Sequence, residues 1–86
     1  MYSGIEEAVL LAEEMREGVS EIISAFLFLN TKNDQIICQR YTEEQEVSPF
    51  LGKNMMYCGR LDPSLTASEI FEMIKDANER YEKMGN

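Results

Sequence analysis

Histidine is absent from this sequence. That removes the commonest acid–base group of enzymes and every catalytic triad built on it. Cysteine is nearly absent: Cys38 and Cys58 are the two thiols. Two thiols without histidine cannot complete a four-ligand zinc site, and they make no disulfide scaffold. Nothing in the sequence supplies a base or an electropositive pocket to activate either one. Both read as small buried apolar residues. The glycine-rich patterns that cradle phosphates or dinucleotides are missing as well. No apolar stretch approaches the roughly 20 residues of a membrane helix; the longest, residues 22–29, has the length of a strand. The opening MYSGIEE is acidic, where a secretory signal opens basic. The expectation is an intracellular, cytoplasmic protein with reduced thiols, no membrane contact, no metal and no cofactor.

Positive charge is scarce too. Eight Lys and Arg face 16 Asp and Glu, a net charge of −8. A binder of phosphate backbones needs clustered bases, so direct nucleic-acid binding is not expected. The acidic surplus suits solubility or attraction to a basic partner. It is unevenly spread. Residues 1–21 hold six acids and one base, and residues 62–86 hold six acids and three bases. Residues 47–61 hold Lys53 and Arg60 and no acid.

What is present describes one small domain, residues 1–86, with an ordinary apolar fraction of 44%. A chain this short buries only about 60% of the surface its unfolded form exposes. Residues 3–18 read as an amphipathic helix. Ile5, Ala8, Val9, Ala12, Met15 and Val19 recur at helical spacing, and Leu11 widens the stripe. Ser3 is placed as its N-cap with Glu6 completing a capping box, and Gly18 as its stop. Residues 20–29 read as a strand apolar on both faces. Ile22, Ser24, Phe26 and Phe28 point one way; Ile23, Ala25, Leu27 and Leu29 point the other. Asn30-Thr31-Lys32-Asn33-Asp34 is turn chemistry, and residues 35–42 make the return strand of a hairpin. Val47-Ser48-Pro49-Phe50-Leu51-Gly52 reads as a loop that tucks Phe50 and Leu51 onto the core. Residues 54–61 are a third strand, with Gly59 marking a bulge or bend. Placed beside the second strand it completes a meander and brings Cys58 toward Cys38. Thr66-Ala67-Ser68-Glu69 is a capping box, flanked by Leu65 and Ile70 at the spacing of a hydrophobic staple. The last helix carries a stripe of Ala67, Ile70, Phe71, Met73, Ile74, Ala77, Tyr81 and Met84 and stops at Gly85. The fold class is therefore α+β: a three-stranded antiparallel meander with an N-terminal and a C-terminal helix, order α-β-β-β-α.

Two helices can cover one face of such a sheet or one face each. If both lie on one face, a row of large side chains on the first strand is left bare. A domain of this size gains too much from burial to leave that row in water. Either a helix crosses over or a second copy packs there, and paired sheet edges are a further route to self-association. A homo-oligomer, a dimer, is expected. The helix-then-hairpin order over residues 5–42 resembles the opening of roadblock and longin-type domains, which dimerise or bind small GTPases. Those domains continue with a central helix and further strands, for which this chain has no room.

Two candidate surfaces follow. The polar face of the first helix holds Glu6, Glu13, Glu14 and Glu17 around Leu10, with Glu7 on its shoulder. An apolar anchor ringed by acids is the layout of a docking patch with a charged rim. It points to a non-enzymatic, acidic interaction module. Its partner would be a basic protein surface of the kind that handles nucleic acid, and docking would inhibit by occupying that surface. The second candidate is a small anionic metabolite or nucleotide site on a homo-oligomer, built from Arg40, Lys53 and Arg60 with Tyr41, Tyr57, Ser48 and Asn54. Against it stands pairing of those bases with Glu43, Glu44 and Glu46. A third reading makes the chain one subunit of a larger hetero-complex.

Overall fold

The computed structural model describes residues 2–44 and 53–84. The elements run α1 (Ile5–Glu17), β1 (Ser24–Asn30), β2 (Gln35–Tyr41), β3 (Met55–Arg60) and α2 (Ala67–Met84). This is the expected α-β-β-β-α order around a three-stranded antiparallel sheet.

The strand order departs from a meander. β1 lies in the middle, with β2 on one side and β3 on the other. Both neighbours run antiparallel to β1, with Leu27 opposite Cys38 on β2 and Gly59 on β3. The reason is visible in β1 itself. Every residue from Ser24 to Leu29 is buried. The strand that is apolar on both faces takes the centre, where neighbours flank it on both edges. Cys38 and Cys58 consequently sit on opposite edges of the sheet, as free thiols.

Both helices lie on the same face. α2 packs over β3, α1 packs near β2, and the helices touch each other. The core between the layers joins Ala8, Leu11 and Ala12 of α1 to Ile70, Ile74 and Ala77 of α2. Its sheet side is Ala25, Leu27, Leu29, Ile36, Met56 and Cys58. Small alanines on both helices let the backbones approach this aliphatic floor.

Local signals fared unevenly. α2 begins with the expected capping box: the Glu69 amide donates to Thr66 Oγ1 at 3.2 Å and the Thr66 amide donates to Glu69 Oε1 at 3.0 Å. Gly18 ends α1 at φ 71°. Its amide donates to Met15 O and the Val19 amide to Glu14 O, a Schellman pair. The start of α1 differs. Gly4, at φ 96°, occupies the N-cap position with no side-chain cap. Ser3 is committed elsewhere: it bridges the edge of β2, its amide donating to Asp34 O and its carbonyl accepting from the Ile36 amide. A Cβ on residue 4 would stand 2.9 Å from Ile36 O, so glycine is required there.

β1 starts later than expected. The Ile22 amide donates to Ser20 Oγ, a local turn that delays the strand to Ser24. Strand alternation therefore does not extend back to Ile22 and Ile23. Ile22 packs against the helix-covered core and Ile23 is half exposed, the reverse of their expected faces. Val19 lies past the helix stop and is 70% exposed. In α2 the buried stripe is narrower than the periodicity: Ala67, Phe71 and Tyr81 reach solvent. The hairpin turn follows its chemistry. Asn30 and Asn33 side chains accept the Lys32 and Gln35 amides, and Asp34 takes φ 57°. The expected loop at 47–52 and the stop at Gly85 lie outside the described residues.

Candidate functional site

α1 presents its acids as the helical repeat requires. Glu6, Glu7, Glu13 and Glu17 are exposed, Glu14 is half-buried, and Leu10 stands 56% exposed among them. Leu10, Glu13, Glu14 and Glu17 follow the i, i+3, i+4, i+7 spacing of one face. The structure adds a feature that the pattern alone did not give. Leu10 is the lip of an open groove of about 490 Å³ between α1 and the start of α2. Ile5, Val9 and Ala67 form its apolar lining, and Glu6 and Glu13 stand on its margin. Ala67 reaches the surface here because it sits at the first residue of α2, beside the Thr66 cap. Nearby on α2, Phe71 is partly exposed and its ring meets Tyr2 at 5.9 Å. The Asn78 amide nitrogen donates to the Tyr2 hydroxyl, which ties the start of the chain to α2. The signal for the groove was present in the sequence, since Ala67 and Phe71 belong to the last stripe. Which stripe residues end up outside depends on the crossing of the two helices, and that is not legible from period alone.

The second candidate set is divided. Tyr41, Tyr57 and Arg60 share the sheet face away from the helices, around Phe26 and Phe28. Register places Tyr41 opposite Ser24, Arg60 opposite Phe26 and Tyr57 opposite Phe28. Residues 57 and 60 reach one face because the register shifts between them, at the bulge the sequence placed on Gly59. Gly59 has φ 149°, and a Cβ on it would stand 2.9 Å from Met73 Sδ. Arg40 does not join the set. It pairs with Ala25, on the helix-covered side of β2. Lys53 lies before β3, next to Asn54, whose carbonyl accepts from Thr31 at the far end of the sheet. Arg60 is held at 3.2 Å by Glu44. Ser48 and Glu46 lie outside the described residues. Three bases thus stand at three places: Arg40 on the helix-covered side of β2, Lys53 before the start of β3, and Arg60 on the outer face.

Burial pushes the Cys58 thiol up to about 11, with Arg80 and the Leu29 backbone opposing weakly. Burial also raises Cys38, against the pull of Arg40 and with a push from Glu7. Raised thiols are poor nucleophiles at neutral pH. Tyr57 is raised by burial, with Arg60 opposing. Asp62 is lowered by the backbone and hydroxyl of Ser64, both bonded to its Oδ1. Among the described residues no cluster of three or more potential metal ligands occurs, and no helix is long and apolar enough to cross a membrane.

No protein-family model, curated protein or solved structure matches this chain.

Proposed function

We propose that this chain is a non-enzymatic interaction module that docks on a basic protein surface through α1. The observation that carries the reading is the groove under Leu10, apolar inside and edged by Glu6 and Glu13. An apolar slot supplies binding energy through one buried anchor, while a charged rim steers the approach and selects the partner. The overall charge of −8 favours encounter with a basic surface. Basic protein surfaces commonly serve to hold nucleic acid. Occupying one would inhibit its owner. Anion binding at Arg40, Lys53 and Arg60 is less well supported, because these bases are dispersed and Arg60 is already paired with Glu44.

The test uses heparin-retained basic proteins from a cell extract, passed over the immobilised chain at low salt. A cognate protein is retained, is released by added duplex DNA, and binds more weakly as salt rises. Leu10→Asp and Glu13→Lys each weaken it by roughly tenfold or more. Both positions are exposed, so the fold survives either change. Retention that ignores both substitutions, or that DNA does not compete, overturns the reading.

A further inference from the structure

The two edges of the sheet differ. At the β2 edge, Ser3 already bridges Gln35 and occupies the Ile36 amide. β3 has β1 on one side and no strand on the other among the described residues. Its outward groups follow from the ladder. The Asn54 carbonyl accepts from Thr31, and Met56 lies opposite Leu29. In an antiparallel ladder, alternate residues turn their backbone groups to the partner. Asn54 and Met56 therefore face β1, and Met55 and Tyr57 face away, with N–H and C=O groups that no strand among the described residues pairs.

A groove runs beside that edge. Residues 55–58 line it on one side, and Ala77, Arg80 and Tyr81 of α2 line it on the other, enclosing about 440 Å³. Consecutive strand residues point to opposite faces. Four in a row can line one groove only if it lies along the strand's edge. Arg80 also lines a neighbouring groove of about 810 Å³ that continues along α2. Glu69, Glu72, Asp76 and Glu79 stand on that stretch, and Arg80 and Lys83 lie at its C-terminal end, away from residues 69–76. β3 and its approach carry the opposite sign: residues 53–60 hold Lys53 and Arg60 and no acid. Lys53 has no ion-pair partner among the described residues.

We propose that β3 pairs antiparallel with β3 of a second copy of this chain, joining two sheets into one of six strands across a two-fold axis. Gly59 lies against Met73, while residues 55–58 lie against residues 77–81, so α2 runs back along β3. The acids at 69–76 therefore flank the end of β3, where an antiparallel second strand brings its own Lys53. An isologous pair makes this contact twice.

The experiment is solution mass by light scattering across dilution, together with hydrogen exchange at the Met55 and Tyr57 amides. A mass of twice the 9.9 kDa chain is expected, with both amides protected only in the dimer. Met55→Pro removes an outward donor without touching the β1 ladder, and it raises the dissociation constant roughly a hundredfold. Circular dichroism checks that this variant folds. Lys53→Glu, at an exposed position, weakens the dimer about threefold. A monomer at all concentrations overturns the proposal. So does a dimer in which the two amides exchange freely. Protection of those amides by an unrelated basic strand peptide, with the chain itself monomeric, also overturns it and assigns the edge to another protein.

Discussion

The two faces of β1 are equally dry and are closed by different means. On the helix side, Ala25, Leu27 and Leu29 are fully buried beneath α1 and α2. On the other side, Phe26 and Phe28 are buried to 4% and 1% exposure with no helix over them among the described residues. Among the described residues, the rings against Phe26 and Phe28 come from the flanking strands. Tyr41 meets Phe26 at 5.8 Å, and Tyr57 meets Phe26 at 6.2 Å and Phe28 at 5.4 Å, all tilted or edge-on. Aromatic pairs at these separations are favourable beyond the area they bury. The difference teaches that a strand apolar on both faces signals a central strand. Wide side chains on its two neighbours can shelter one face while helices shelter the other.

The largest effect should separate those two kinds of closure. Phe28→Ala removes the ring that Tyr57 leans on and should cost about 3–5 kcal/mol in urea unfolding. Leu27→Ala, beneath the helices, should cost about 2–5 kcal/mol. Tyr57→Ala then divides the faces. It should cost about 1–3 kcal/mol alone, and less than that in the Phe28→Ala background, because the two rings share one contact. In the Leu27→Ala background its cost should stay whole. Equal coupling to both positions would mean that the faces are not separately closed.

This contrast also explains what could be read in advance. The helices, the hairpin turn, the α2 capping box and the Gly59 bulge rest on chemistry local to a few residues, and each was legible. Strand order was not. β3 could pair with either edge by its own pattern, and only the competition for the centre of the sheet decided it. The face of Ile22 and Ile23 was lost because Ser20 turns the chain just before the strand. The acids and Leu10 on α1 were legible as one exposed face, since helical period fixes them. The groove beneath Leu10 was not, because Ala67 reaches it from another element some 60 residues away. The dispersal of Arg40, Lys53 and Arg60 has the same origin as the strand order. A meander sets β2 beside β3; the observed sheet puts β1 between them.

A smaller effect tests the outer face from its polar end. Ser24 is fully buried on that face, and its hydroxyl has no hydrogen-bond partner among the described residues. An unsatisfied buried hydroxyl costs about 1–3 kcal/mol. Ser24→Ala should therefore stabilise the protein by about 1 kcal/mol, raising the urea midpoint with the slope unchanged. Destabilisation instead would mean that a bound water satisfies the hydroxyl, and the face would be wetter than its rings suggest.

The smallest effect concerns proton linkage on the helix-covered face. Cys58 belongs to the aliphatic core, and burial holds its thiol at about 11 against an ordinary 9.0. Its folded value is raised, so the neutral thiol is favoured by folding. The stability tied to it is whole below pH 9 and is lost as pH rises toward 11. Cys38, half-buried on the opposite edge strand, is also raised but has Arg40 beside it. Alkylation with iodoacetamide at pH 8 should therefore label Cys38 well before Cys58, and Cys58→Ala should flatten the loss of stability between pH 9 and 11. Equal labelling of the two thiols would place Cys58 in contact with water. The helix-covered face would then be the less tightly closed of the two, which inverts the comparison from the side that the helices cover.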